Sequence, residues 1–135
     1  MTKPNRDNKS LEIMVVDDNE DASEVLRLLF EALGHSACVE YSALSAINRA
    51  KREGAEMLFI DIGLPGMDGY ELARRLRAMP QTANSILVAV TSFSEAKDKQ
   101  LAKDAGFNNH LAKPINLNDI LGIIDQYQLS RAENT

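Results

Sequence analysis

The chain has almost no cysteine, no apolar run long enough to cross a membrane, and no surplus of basic charge. One cysteine, Cys38, among 135 residues leaves nothing to pair with inside the chain. Stability must then come from packing, in a compartment that keeps thiols reduced. The longest apolar stretches are strand-sized, well short of the roughly eighteen residues a span requires. Met1 to Ser10 is polar and lacks the apolar segment of a secretory signal. Together these absences point to a cytoplasmic protein without a membrane partner. Fifteen basic residues against twenty acidic ones leave a formal charge of −5, which argues against nucleic acid or an anionic lipid surface as the main partner. There is no Cys/His cluster of the kind that holds zinc. No Pro/Gly-rich linker, repeat or low-complexity run divides the middle of the chain.

What remains is a globular composition, 44% hydrophobic and 26% charged, at the length of one domain. The expected organisation is a polar tail over residues 1–10, a domain over 11–129 and a frayed end over 130–135. Within the domain the hydrophobic period changes repeatedly. Leu11 to Val16 reads as a buried strand. Val25, Leu28, Leu29, Ala32 and Leu33 fall on one face of a helix that Gly34 ends, with Leu26 off that stripe. Ala37 to Val39 is a weaker second strand. A helix from Ala43 to Arg52 follows, with Ser42 as a possible cap and Gly54 as terminator.

Met57 to Ile60 is a third strand. Asp68 and Glu71 have the spacing of a capping box, opening a helix with Leu72, Leu76 and Met79 on one side; Pro80 stops it. Ser85 to Val90 is a fourth strand, and a polar helix runs from about Glu95 to Ala105 before Gly106. Phe107 to Leu111 is a short fifth strand. The last helix carries Leu117, Ile120, Leu121 and Ile124. Five strands apolar on both faces, alternating with five helices, predict an open, doubly wound α/β fold with a five-stranded parallel sheet. Such sheets bind ligands beyond the carboxyl ends of their strands.

Polar residues gather at those ends. The first strand runs into Asp17-Asp18, the third into Asp61, the fourth into Thr91-Ser92, and Lys113 follows the fifth. Singly, each has an ordinary explanation: a helix cap, a turn residue, a solvated charge. Jointly they would bring three carboxylates, hydroxyls and an ammonium to one edge. Three crowded carboxylates repel unless a cation joins them, and Mg2+ suits such hard oxygen donors.

The chain resembles the receiver (REC) domain of two-component system response regulators. The resemblance rests on Val15-Val16-Asp17-Asp18-Asn19, on Ile60 to Gly69, on Val90-Thr91-Ser92 and on Leu111-Ala112-Lys113-Pro114, in the family's order over about residues 10 to 128. It implies the flavodoxin-like strand order 2-1-3-4-5. It further implies that Asp61 is the phosphoacceptor for a phosphohistidine on a histidine kinase or histidine phosphotransfer protein. Asp18 would ligate Mg2+ directly and Asp17 largely through water, with the carbonyl of Gly63 as a further ligand. Lys113, Thr91 and Ser92 would contact the phosphoryl group, and the bond from Lys113 to Pro114 would be cis.

The switch would pair Thr91 with His110, where the family usually has Tyr or Phe, although some receivers tied to hybrid kinases carry His. His110 is open to two readings, a half-exposed strand histidine or a switch side chain tuned by its charge state. The fourth helix, with only Ala96, Leu101 and Ala102 apolar from Glu95 to Asp104, is weakly anchored. The surface of that helix, the fifth strand and the last helix is therefore expected to change most on phosphorylation and to meet the downstream target. Leu26 is a candidate docking residue near the edge where kinases contact receivers.

The resemblance implies a signalling phosphoacceptor rather than an enzyme, acting as a stand-alone single-domain regulator. It would be a monomer or weak homodimer whose output acts in trans, and the polar start at Met1 looks like a natural beginning. The alternatives are a receiver cut from a hybrid kinase and an interaction module that is not phosphorylated. An aspartyl-nucleophile phosphatase is disfavoured, because those enzymes place a second Asp where this chain has Gly63 and need a cap for which there is no room.

Overall fold

The structure, a computed structural model, describes residues 10–92 and 96–133. Its strands are β1 (Glu12–Val16), β2 (Ser36–Glu40), β3 (Met57–Asp61), β4 (Ile86–Thr91) and β5 (Asn109–Ala112). They form one parallel sheet in the order 2-1-3-4-5, bearing out the expected doubly wound architecture. The helices are α1 (Glu20–Ala32), α2 (Ala43–Glu53), α3 (Gly69–Arg77), α4 (Ala96–Ala105) and α5 (Leu117–Glu133). The boundary expected after residue 129 falls inside α5. Residues 1–9, 134–135 and Phe93 to Glu95, which include most of the expected tails and the start of the expected fourth helix, lie outside the described residues.

Alternation along each strand divides the core in two. Ile13, Val15, Phe59, Val88 and Leu111 face α1 and α5, while Met14, Val16, Leu58, Ile60 and Ala89 face α2, α3 and α4. Because both faces are covered, nearly every strand position is apolar, which is why the strands read as continuous runs.

Capping follows the local sequence with one exception. The Ser42 hydroxyl accepts from Ser45 N–H (3.1 Å) and Gly54 closes α2 at φ +69°. Asp68 accepts from Glu71 N–H (3.0 Å), but the returning half of the expected capping box is absent, because Glu71 pairs with Arg74 and Arg75 instead.

The first helix departs from its hydrophobic pattern. Val25 and Leu28 are 65% and 53% exposed, and Leu33 is also exposed. The buried face is Ser23 and Phe30, with Leu26 and Leu29 half-buried against the sheet. Ser23 sits at a core position because its hydroxyl donates to the carbonyls of Asn19 and Asp17, so a polar residue there satisfies backbone and breaks the apolar stripe. Leu26 is thus a packing residue rather than an outlying one. The fifth strand also begins later than expected. Phe107 N–H donates to Ala102 O (3.0 Å) to close α4, with Gly106 at φ +113°, and the Phe107 side chain turns into the core. In α5, Ile120, Ile123 and Ile124 are buried, whereas Leu117 is 47% exposed.

Arg77, in the last turn of α3, ties this region together without a carboxylate partner among the described residues. It donates to the carbonyls of Ser85 (2.6 Å), Ala83 (3.0 Å) and Gly106 (2.7 Å) and to Asn108 Oδ1 (2.7 Å), and burial lowers its pKa. Asn108 Oδ1 also accepts from Leu87 N–H (2.8 Å). The loop entering β5 is therefore held by this guanidinium together with its own backbone, Asn108 N–H donating to Leu87 O (2.8 Å).

At the opposite edge, Leu11 N–H donates to His35 Nδ1 (3.0 Å). A proton on Nδ1 would remove that acceptor, and burial already lowers the pKa of His35 from 6.5 despite the nearby Glu56. The unfolded chain therefore binds this proton more readily. The stabilising contribution of neutral His35 is complete above the ordinary value and is lost as pH falls through the lower folded value. Urea unfolding at about pH 7.5 and about pH 5.5 is expected to show a larger acid loss in the native chain than in His35→Gln, whose amide oxygen keeps an acceptor. Equal losses would show that His35 contributes nothing.

Candidate functional site

The carboxyl edge of the sheet is built by chain ends that hold one another. Asp17 extends the pairing of β1 with β2, its N–H donating to Glu40 O (3.1 Å). Its Oδ1 accepts from Asn19 N–H (2.9 Å), and Asn19 caps α1 by accepting from Ala22 N–H (3.0 Å). The cap is thus Asn19, which leaves Asp17 and Asp18 free of the ordinary capping role. Asp61, the last residue of β3, accepts at Oδ1 from Gly63 N–H (3.0 Å), and Ile62 N–H continues the sheet to Val90 O (3.0 Å). Lys113 N–H donates to Thr91 O (2.9 Å), and the peptide bond from Lys113 to Pro114 is cis.

These constraints bring most of the sequence-predicted residues together. Asp17, Asp18 and Asp61 each place a carboxylate oxygen within 4.8 Å of the others. Lys113 Nζ lies 3.6 Å from Asp61 Oδ1 and 3.8 Å from Asp17 Oδ2. Asp17 and Asp61 are buried and Asp18 is exposed, so the cluster opens to solvent on the side of Asp18. Thr91 is buried at the end of β4, one residue beyond the Val90 that pairs with Asp61, whereas Ser92 is exposed. His110 pairs with Ala89, which puts it on the same sheet face as Thr91, toward α4.

Electrostatics show what this cluster wants. Burial raises the pKa of Asp17, and repulsion from Asp61 and Asp18 adds to it, against the Asn19 hydrogen bond and the Lys113 charge. Three carboxylates with one ammonium leave two negative charges in a half-enclosed pocket. That remainder, carried on hard oxygen donors, fits a divalent cation such as Mg2+.

Two features escaped the sequence. Gly69 is pressed against the backbone behind Asp61: a Cβ there would lie 2.7 Å from Ile62 Cα and 2.8 Å from Asp61 O. Its place in the Asp68-Gly69 motif was the available signal, but the close approach is visible only in space. Gly69→Ala is expected to cost about 1–3 kcal/mol and to displace Asp61. Denaturant unfolding should show the loss, and an unchanged midpoint would refute it. The second feature is an apolar groove of about 450 Å3 beside Lys113, lined by Asp17, Leu26, Leu29, Ile115 and Ile120. Exposed Val25 and Leu117 line it too.

Comparison with known proteins agrees with this geometry. The family model "Response regulator receiver domain" matches residues 13–125. A 14.6 kDa protein of Leptolyngbya boryana, encoded in the sodA1 3′ region, is 33% identical over 89% of this chain and 92% of its own. The transcriptional regulatory protein YkoG of Bacillus subtilis is 30% identical over 83% of this chain, which spans only 48% of that longer relative. Among solved structures, the receiver domain of the sensor histidine kinase PA1611 of Pseudomonas aeruginosa, with a magnesium ion coordinated in its active-site cleft, superposes with a TM-score of 0.80. It is 26% identical, covering 89% of this chain and 98% of that one. With sheet order, acidic edge and a match running from the first strand into the last helix all in agreement, the chain belongs to the response regulator receiver domain family, whose members are signalling phosphoacceptors of the two-component systems.

Proposed function

We propose that this chain is a single-domain response regulator that accepts a phosphoryl group on Asp61 from the phosphohistidine of a histidine kinase or histidine phosphotransfer protein. The observation that carries this reading is Lys113 Nζ at 3.6 Å from Asp61 within the three-carboxylate cluster. A carboxylate oxygen of Asp61 forms the new O–P bond while the donor P–N bond breaks, its electron pair staying on the imidazole nitrogen. Asp17, Asp18, Asp61 and the Gly63 carbonyl would hold Mg2+, which offsets charge on the transferred group. Lys113 supplies a point charge to a phosphoryl oxygen, and Thr91 and Ser92 donate hydroxyls to it.

The phosphodonor docks over the apolar groove beside Lys113, where Val25 and Leu117 are exposed next to the acidic pocket. Thr91 and His110, on one sheet face, carry the switch toward α4, β5 and α5, where the downstream protein binds. No activity beyond self-phosphorylation and autodephosphorylation is required of the chain. No helix among the described residues is long and apolar enough to cross a membrane, and the lone cysteine favours the cytoplasm. A relay role within a hybrid kinase pathway is the second reading, favoured by His110 at the usual aromatic position. Incubation with acetyl phosphate, with Mg2+ or with EDTA, tests the central step. One phosphoryl group by intact mass only in the presence of Mg2+ supports it, and none under either condition refutes it.

A further inference from the structure

β5 is short and weakly anchored: it lies at the edge of the sheet, and of its four residues only Leu111 is buried. Side-chain burial therefore does little to fix its register on β4. Yet that register decides where Lys113, the residue after the strand, stands, and its Nζ lies 3.6 Å from Asp61 Oδ1. The strand is tied instead at its amino end, by a residue of α3. The guanidinium of Arg77 reaches the entries of both strands at once. Its Nη1 donates to the carbonyls of Ala83 (3.0 Å) and Ser85 (2.6 Å), just before β4. Its Nε and Nη2 donate to the carbonyl of Gly106 (2.9 and 2.7 Å), just before β5. Nη2 also donates to Asn108 Oδ1 (2.7 Å), which accepts in addition from Leu87 N–H of β4 (2.8 Å). A guanidinium is planar and its donors keep fixed relative positions, so these bonds fix the two strand entries relative to each other. Gly106 makes the approach possible, because a Cβ there would lie 2.8 Å from Arg77 Cγ.

We propose that Arg77 is a positioning residue for phosphoryl transfer: by fixing the register of β5 on β4 at the amino edge of the sheet, it fixes the reach of Lys113 into the acidic pocket at the carboxyl edge. The inference rests on the proposed roles of Asp61 and Lys113. Lys113 is five residues beyond Asn108, about 17 Å along an extended strand. An extended backbone has no slack, so a shift at one end is passed to the other. The far end has its own tie, Lys113 N–H to Thr91 O (2.9 Å), so loss of Arg77 loosens the lysine without releasing it. Misplacing a reacting group by about 1 Å costs on the order of a hundredfold in rate, and partial loosening is expected to cost about tenfold.

The test uses the full chain, labelled at Asp61 by acetyl phosphate with Mg2+ and followed by intact mass. Arg77→Lys keeps the charge but not the planar fork, Arg77→Gln loses both, and Asn108→Ala removes only the bridge to β4. The two Arg77 variants are each expected to slow labelling about tenfold, and Asn108→Ala about threefold. In a Lys113→Ala background, Arg77→Lys should slow labelling by less than about twofold further, because the side chain through which Arg77 acts is gone. Labelling at the native rate in both Arg77 variants overturns the proposal. So does an undiminished effect in the Lys113→Ala background, which would make Arg77 a general stabiliser. Hydrogen exchange reads the strand directly: amides of β5 should exchange at least about tenfold faster in Arg77→Lys, with those of β1 and β2 unchanged. Unchanged exchange in β5 overturns the proposal. If neither Arg77 variant folds, Asn108→Ala decides, and native labelling with native exchange in β5 overturns it. Failure of the native chain to label at Asp61 would instead overturn the proposed function, leaving exchange to decide whether Arg77 holds β5.

Discussion

Asp61→Asn is expected to abolish phosphoryl labelling by acetyl phosphate while leaving the fold intact. The amide has no anionic oxygen to attack phosphorus, and the neighbouring carboxylates are held for other duties: Asp17 Oδ1 receives the Asn19 N–H at 2.9 Å, and Asp18 is exposed on the outer side of the cluster. The structural role of Asp61 survives the change. Its Oδ1 accepts from Gly63 N–H at 3.0 Å, and an asparagine oxygen does the same. Removing the charge also relieves Asp17, whose pKa is raised by burial and further by repulsion from Asp61. Stability should therefore hold or rise, by up to about 1 kcal/mol. Intact-mass spectrometry with Mg2+ present checks the labelling and urea unfolding checks the fold. A fully folded variant that still takes one phosphoryl group would move the acceptor to Asp17 or Asp18.

Phe30→Ala is expected to cost about 3–5 kcal/mol, a large share of the roughly 5–15 kcal/mol that holds a domain of this kind together. Phe30 is fully buried on α1, its ring centroid 4.9 Å from that of Phe59 in β3 at a 36° tilt. Truncation removes both the transfer energy and the aromatic contact, and leaves a cavity under the helix. Val25→Ala and Leu28→Ala, on the exposed side, should each change stability by less than about 0.5 kcal/mol. Urea midpoints at constant m-value measure all three. If Val25→Ala or Leu28→Ala proves as costly as Phe30→Ala, the buried face of α1 has been assigned wrongly. Val25→Ala is also expected to slow transfer from a histidine phosphodonor, because it erodes the apolar rim beside Lys113 without touching the core.

The two faces of α1 show where the sequence speaks and where it does not. Period alone selected Val25, Leu28, Leu29, Ala32 and Leu33, since these are the apolar residues that recur at helical spacing. The buried face instead includes Ser23, whose hydroxyl satisfies the Asn19 and Asp17 carbonyls, a use of polarity that hydrophobic spacing cannot register. Of the leftover apolar side chains, Val25 is exposed and lines the groove at the acidic pocket, with Leu29 half-buried in its wall. Gly69 carries the same lesson in another form. Any turn would accept a glycine, but only the backbone of Asp61 and Ile62 lying across it makes the missing Cβ necessary.

The sequence by itself determined the strands, the sheet class and the polar residues at the strand ends. A strand buried on both faces must be apolar throughout, so it announces itself without reference to its neighbours, and whatever polar residue follows it stands out. Tertiary structure alone decided which face of α1 is buried and how Arg77 gathers the carbonyls that hold the entry to β5. Each of these depends on what another part of the chain places opposite. Local periodicity contains no term for a partner arriving from 29 residues away, as Gly106 O does at Arg77.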